Sequence, residues 1–398
     1  MTKTDGTLDL FAITAPGLEP LAAAELRAMG IDGVVEPGGV SWSGPAGQMY
    51  EANLRLRTAS RVVVRAASFR ARTFFELERH ARKVPWDRWV NRGGAVRLRV
   101  TSKKSKLYHE GAITERLLDA ITRAVGPVAG GALGRDEDEA DQPEAADAQL
   151  FIVRFVRDEC VISADSSGAL LHFRGYRQAL AKAPLRETLA AAMLLGSRWN
   201  PGAPLLDPMC GSGTIVIEGA LIACGIAPGL ANADRQPRPF AFTSWPDFDR
   251  AAWESVVERA RGEIRPAAGI PILGSDRDEG AIQAAAANAA RAGVVDDLEL
   301  SARPLSAIEP PEGPGWIVSN PPYGIRVGER DPLRNLYSAL GRTLRERCPR
   351  WTLALLSADR MLEGHTGVPF DDAFRTSNGG IPVRLVVGRV GDTPARGG

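Results

Sequence analysis

The sequence predicts an α/β protein whose C-terminal half is a mostly parallel sheet with crossover helices, preceded by a mixed α+β region. Three observations lead there. Strand-like and helix-like patterns alternate from about Leu205 to Leu355, as parallel strands joined by crossovers require. Two of the apolar strands end in turns rich in glycine or proline, after Asp207 and Ser319. The residues up to Ala164 mix short strands and helices without that regular alternation.

The chain has 398 residues and a formal net charge of +1 at pH 7. At roughly 100–200 residues per domain, two or three domains are expected. With 44% hydrophobic and 24% charged residues, the composition is that of a globular enzyme. Met1 to Asp5 has no apolar core behind it, so no secretory signal is expected. There is no run of about 18 apolar residues, so no membrane span is expected either. Cys160, Cys210, Cys224 and Cys348 are scattered without metal-ligand spacing, so neither a metal nor a disulfide framework is expected. A cytoplasmic location follows as the expectation.

Taken in order, Phe11 to Gly30 reads as a strand, a Pro16-Gly17 turn and a helix with Leu18, Leu21, Ala22 and Leu26 on one stripe. Val40 to Trp42 is a short strand between glycine pairs, and Gln48 to Arg57 a helix. Arg61 to Phe69 is a strand rich in valine, and Phe74 to Val84 a helix. In Ala95 to Thr101, Val96, Leu98 and Val100 alternate with Arg97 and Arg99, which predicts a half-buried strand with a cationic outer face. Gly111 to Val125 is a helix, and Leu150 to Val156 with Glu159 to Ala164 a hairpin. Between them, Asp136 to Asp147 carries seven acids in twelve residues, a solvated loop. Glu51 to Lys106 has the opposite sign, with 16 Lys and Arg against 4 acids.

Pro204-Leu-Leu-Asp-Pro-Met-Cys-Gly-Ser-Gly-Thr214 is a strand, a glycine turn and a helix start. Glycines let backbone pass close to a ligand, and the helix that follows offers free N–H groups to a carboxylate. No Lys-Ser/Thr follows, so this is not a P-loop, and Gly219 is too far on for the dinucleotide pattern. Asp207, Met209, Cys210, Gly211, Ser212, Gly213 and Thr214 are the candidate cofactor contacts. A second strand, Ile270 to Gly274, leads to Ser275-Asp276-Arg277. An acid there can accept from two ribose hydroxyls, so Asp276 and its neighbour Arg277 join the set.

Trp316-Ile-Val-Ser-Asn-Pro-Pro-Tyr-Gly324 is the most specific motif. Pro321 and Pro322 lack N–H donors, so the turn presents carbonyls. An aromatic amine is a poor nucleophile because its lone pair is delocalised into the ring. Two acceptors holding its hydrogens, the Asn320 side chain and the Pro321 carbonyl, would aim that lone pair at a methyl donor. Tyr323 offers a ring face for the base. Asn320, Pro321, Pro322 and Tyr323 are therefore the candidate catalytic residues, with Asn320 also beside the cofactor.

These motifs resemble those of the bacterial large-subunit ribosomal RNA guanine-N2 methyltransferases, the THUMP-domain class of S-adenosylmethionine enzymes. His172-Phe-Arg-Gly-Tyr-Arg177, Ala183-Pro-Leu-Arg-Glu-Thr-Leu189 and Phe240-Ala-Phe-Thr-Ser-Trp245 are similar to further family elements. The resemblance implies a ferredoxin-like domain (residues 1–55), a THUMP RNA-binding domain (56–166) and a Rossmann-like class I methyltransferase domain (167–392). It implies S-adenosylmethionine as cofactor and a cofactor role for Arg186 or Glu187. Such enzymes usually place an acid after the third strand for the adenine amino group. Here Ser301-Ala-Arg-Pro-Leu305 puts Pro304 there, leaving adenine to backbone groups or another side chain.

Within the cationic stretch, Arg97, Arg99, Lys103, Lys104 and Lys106 are the candidate RNA contacts, with Trp86, Trp89 and Tyr108 interleaved. The expected reaction is methylation of a guanine N2 in structured RNA, foremost 23S ribosomal RNA. Transfer RNA, an adenine-N6 target, and a cofactor-free RNA-binding assembly factor are the other readings.

Overall fold

The computed structural model describes residues 6–132, 148–178, 185–323 and 330–391. The acidic run 136–147, Ala183 and Gly324 lie outside the described residues.

The first half builds one eight-stranded sheet in the order β2-β3-β1-β4-β8-β7-β5-β6. Its strands are β1 (Leu8–Thr14), β2 (Val34–Glu36), β3 (Gly39–Gly44), β4 (Ala59–Arg70), β5 (Ala95–Lys103), β6 (Ala129–Ala132), β7 (Ala148–Val156) and β8 (Glu159–Asp165). Helices α1 (Glu19–Ala28), α2 (Ala46–Arg55), α3 (Phe74–Ala81) and α4 (Glu110–Val125) cover it. β4 joins the pieces: it pairs with β1 on one side and β8 on the other, both antiparallel. Its Val62, Val64 and Ala66 are buried, as a strand with neighbours on both sides requires. The sheet therefore runs unbroken across residues 55 and 56. α3 begins with a capping box, Thr73 with Glu76, which satisfies two of the helix's unpaired donors.

The second half is a seven-stranded sheet, order β11-β10-β9-β12-β13-β15-β14. Helix α5 (Glu187–Gly196) leads into β9 (Leu205–Asp207), α6 (Thr214–Ala223), α7 (Arg250–Gly262), β10 (Ile272–Asp276), α8 (Glu279–Ala292), β11 (Glu299–Ala302) and β12 (Trp316–Ser319). Then follow α9 (Arg330–Arg347), β13 (Thr352–Ser357), α10 (Arg360–His365), β14 (Asp371–Asn378) and β15 (Ile381–Arg389). The first five strands in that order are parallel, and β15 and β14 add an antiparallel edge. After β9 the chain builds outward through β10 and β11, then returns to lay β12 on the other side of β9. That reversal is a switch point, where doubly wound sheets open a crevice at the strands' carboxyl ends. Nine of the ten residues of α6 are buried, as its nearly all-apolar sequence demands of a helix inside a core.

The two halves share one core. Phe242, fully buried, packs on Tyr50 of α2 with ring centroids 4.7 Å apart, and Trp253 of α7 joins them at 5.1 Å. Trp245 donates from Nε1 to Gln149 Oε1 at 2.6 Å, and Asn91 Nδ2 to the Ser244 carbonyl at 2.8 Å. The Phe240–Trp245 segment thus works as the seam between the two halves. No described helix is long and apolar enough to cross a membrane.

Candidate active site

The switch point brings together the two motifs that the sequence singles out. β9 ends at Asp207 and, beside it, β12 ends at Ser319, so the glycine turn and the Asn-Pro-Pro-Tyr turn leave the sheet side by side. Asp207 is 1% exposed. Its Oδ1 accepts from Ser319 Oγ at 2.7 Å and from the Met209 N–H at 3.1 Å. Burial pushes its carboxyl up to about 7, and the nearby Asp276 charge adds to the rise against the relief from those two hydrogen bonds.

The loop after Asp207 is held from three sides. Cys210 N donates to the Ser275 carbonyl at 2.9 Å, and Gly211 N to Asp276 Oδ2 at 3.0 Å. Asn288, fully buried on α8, donates from Nδ2 to the Ser212 carbonyl at 3.0 Å. Gly213 caps α6 with φ of 84°, and a Cβ there would sit 2.9 Å from that of Ala285. Only glycine fits both the left-handed backbone and the close helix. Burial and two carboxylates hold the Cys210 thiol protonated, so it lines the loop as a neutral group. Thr214, also buried, opens α6.

Asp276 ends β10 with its Oδ1 accepting from the Asp278 N–H at 3.0 Å. A carboxylate has about four lone-pair positions, so after these two backbone bonds two remain for ribose hydroxyls. Arg277 next to it is exposed. Asp207 and Asp276 at adjacent strand ends favour a ligand of positive charge, and S-adenosylmethionine carries both an ammonium and a sulfonium. The residues present fit that cofactor. At the end of β11, Pro304 carries no acid. Arg303 beside it pairs with Glu309 at 2.8 Å.

Asn320 follows β12 with its Oδ1 buried and without a hydrogen-bond partner among the described residues. A buried amide oxygen left unpaired costs about 1–3 kcal/mol, so a donor that reaches it here gains a strong hydrogen bond. Pro321 is buried and Pro322 exposed. Tyr323 packs on the core, and its hydroxyl accepts from Asn378 Nδ2 at 2.8 Å, which fixes the ring from the β14–β15 hairpin.

Glu187 opens α5, is 2% exposed and lies 3.4 Å from Arg177 Nη2 without hydrogen-bond geometry to it. Burial raises its carboxyl to about 7. Arg186, half-buried, precedes it at the N-cap. The same segment carries a buried polar chain that the sequence reading missed. Arg174 Nη2 donates to the Arg57 carbonyl at 2.7 Å, and its Nε to Glu218 Oε1 at 3.4 Å. The Tyr176 hydroxyl donates to the same oxygen at 3.2 Å. Arg291 on α8 donates from Nε to the Tyr176 carbonyl at 2.6 Å and also reaches Asn288 Oδ1. A continuous path thus runs from the first half to Ser212. The visible signal was a lone asparagine on the apolar face of an alanine-rich helix.

The candidate RNA contacts do not all face water. Lys103, Lys104 and Lys106 are exposed and Arg97 half-buried, but Arg99 is 7% exposed. The cationic outer face expected of this strand is corrected to that extent: β5 is an interior strand, between β7 and β6, and Arg99 on it is buried. Trp86 and Trp89 are 0% and 2% exposed, core residues packed edge-to-face against Phe151, so neither meets RNA. Tyr108 alone of the three interleaved aromatics is exposed. No group of three or more potential metal ligands occurs among the described residues.

A switch-point crevice with this glycine loop, paired acids and an unpaired Asn320 carbonyl defines an S-adenosylmethionine-dependent methyltransferase. Residues 174–383 match the model of the RMKL-like methyltransferase domain, and residues 9–63 that of the RlmL ferredoxin-like domain. The chain belongs to the RMKL-like methyltransferase family. It is 34% identical over 389 residues to a Synechocystis sp. protein provisionally named an RNA methyltransferase, covering 96% of each chain. It is 35% identical over 400 residues to the ribosomal RNA large subunit methyltransferase K/L of Syntrophotalea carbinolica. That match covers 96% of this chain and 53% of the relative, about half its length. A solved structure of a provisionally named methyltransferase with bound S-adenosylhomocysteine superposes with a TM-score of 0.83 at 30% identity, covering 96% of this chain and 98% of that one.

Proposed function

We propose that this chain transfers a methyl group from S-adenosylmethionine to the exocyclic N2 amine of a guanine in structured RNA, with 23S ribosomal RNA as the substrate. The observation that carries this reading is the buried Oδ1 of Asn320, without a partner among the described residues, at the carboxyl end of β12, on the same sheet edge as the acidic ends of β9 and, beyond it, β10.

The cofactor, when bound, supplies a methyl already activated on sulfur. Asp276 would hold its ribose, the Gly211–Gly213 loop would pass along it, and Asp207 would balance its positive charge. Asn320 Oδ1 and the Pro321 carbonyl would each accept one hydrogen of the target amine. Held this way, the nitrogen is biased toward sp³ geometry, and its lone pair leaves the plane of the ring. As methyl transfer places positive charge on that nitrogen, two fixed carbonyl dipoles stabilise it without reorganising. Tyr323, fixed by Asn378, would stack on the base and set its depth. Positioning and electrostatics thus account for the protein's part in the reaction.

Two features support an RNA substrate. Both curated relatives bear RNA methyltransferase names, one of them naming the large ribosomal subunit. Lys103, Lys104 and Lys106 stand exposed in the first half.

The test is transfer of labelled methyl to RNA from a strain lacking this gene, followed by nucleoside analysis of the separated ribosomal and transfer RNA. 2-Methylguanosine in 23S RNA is the expected product. The same nucleoside in transfer RNA would change the substrate, and methyladenosine would overturn the base assignment. No transfer together with no cofactor binding would leave an RNA-binding assembly factor.

A further inference from the structure

The end of the first sheet farthest from the seam carries a surface that the methyl transfer does not use. The strand ends meet there in register, with Arg70 opposite Glu159, Lys103 opposite Val156 and Val156 opposite Glu159. Three connections therefore converge: 71–73, leading into α3, 104–109, and 157–158. Asp158 ties them together. Its carboxylate accepts from the Lys106 N–H at 2.8 Å and from Arg72 Nε at 3.1 Å. Its own N–H donates to Ser105 Oγ at 2.9 Å, and its carbonyl accepts from Ala71 N at 3.0 Å.

On this frame stand Phe75, 74% exposed, and Tyr108, 66% exposed, the two exposed aromatic side chains among the described residues. One exposed ring needs no explanation. Two rings on segments joined to the same aspartate, Phe75 in the first turn of α3 and Tyr108 on the loop after β5, bordered by exposed Arg72, Lys103, Lys104, Lys106 and Arg157, do. Among the described residues, the acids on these segments are already engaged: Asp158 with Arg72, Glu76 in the capping box, and Glu159 at 3.9 Å from Arg70. The surface is thus cationic with flat apolar faces. Unpaired nucleotides have the complementary chemistry, because their bases stack on rings and their phosphates sit on fixed cations. A duplex hides its base faces and would use the cations alone.

We propose that this sheet end binds unpaired nucleotides of the RNA substrate, with bases stacked on Phe75 and Tyr108 and phosphates on Lys103, Lys104 and Lys106. The proposal rests on the RNA reading above and adds where, and in what form, the RNA is held. β7 alone, at nine residues, separates this surface from the seam by about 25–30 Å. The contact is therefore an anchor remote from the target base.

Fluorescence anisotropy on the full chain tests it, using a labelled oligouridylate of ~10 nucleotides and an RNA duplex of equal length. The double variant Phe75→Ala, Tyr108→Ala is expected to lose about tenfold or more in affinity for the single strand while binding the duplex as wild type does. Tyr108→Trp should hold the single strand at least as tightly. Lys103→Ala with Lys104→Ala should weaken both probes and lower the salt dependence by about two contacts. S-adenosylmethionine affinity of the aromatic variant should stay at the wild-type value, which shows that it folds. Single-strand affinity unchanged in that variant overturns this proposal alone. A wild-type chain that binds neither probe overturns the RNA reading and this proposal together.

Discussion

Asp207 is a carboxyl buried to 1% exposure whose Oδ1 oxygen accepts both its hydrogen bonds. Its carboxyl stands at about 7 in the folded chain against 3.8 for a free aspartate, so the folded state holds a proton that the unfolded state releases. The stabilisation this gives is present below about pH 4 and is lost as pH rises toward 7. His172 acts oppositely: burial and the surrounding arginines depress its ring to about 3, so its contribution is lost as pH falls below the ordinary histidine value. The clean measurement is therefore a difference. Melting temperatures of Asp207→Asn and wild type, followed from pH 5 to 8, should show the wild type losing more between pH 5 and 7, with the difference levelling off above that. Cofactor affinity should move the other way, strengthening from pH 6 to 8 as Asp207 ionises, and Asp207→Asn should flatten that profile. Ser319→Ala removes a bond that lowers this carboxyl, so it should shift the binding midpoint to higher pH. Calorimetric titration across pH reads both effects, and a profile unchanged in either variant would remove Asp207 from the binding site.

At the scale of elements, the cofactor loop depends on what packs behind it. Gly213→Ala forces a side chain into left-handed backbone and against Ala285. It should cost at least about 1–2 kcal/mol and be visible as a lower urea midpoint. Asn288→Ala removes the bonds it makes to the Ser212 carbonyl and to Arg291 Nη2. The KM for S-adenosylmethionine should rise about fivefold or more while kcat on saturating cofactor changes little. Equal loss in both constants would mean that Asn288 does more than hold the loop. These elements differed in how legible they were. The turns after Asp207 and Ser319 were readable because their chemistry is local: glycines at forced dihedrals and prolines that delete donors. The β14–β15 hairpin was not, because its outer residues are polar and its pairing with β13 is decided by tertiary contact. Arg99 was misplaced for a related reason. Period-two alternation says which residues share a face, but whether that face meets water depends on what packs over it.

For the whole molecule, the joint between the halves is as much a part of the site as the loops. Arg174 and Glu218, 1% and 0% exposed, pair inside it. Arg174→Met strands the carboxylate and should destabilise the chain by about 3–5 kcal/mol, whereas adding Glu218→Leu should recover most of that loss. Thermal melts of the single and double variants check it. A mild single variant would mean that water reaches the pair. This joint, like the continuous sheet across residues 55 and 56, could not be read from sequence, since β4 meets β8 about 100 residues away and no local pattern encodes that pairing. The methyltransferase half was legible because strand, turn and helix follow one another with their ligand-binding residues at strand ends. Methyl transfer in this chain turns on Asn320. The most direct test is single-turnover methyl transfer to RNA by wild type and Asn320→Ala, with cofactor affinity measured in parallel. The account predicts a rate reduced about 100- to 1,000-fold with cofactor affinity within a few fold of wild type. Transfer at the wild-type rate by Asn320→Ala would contradict it.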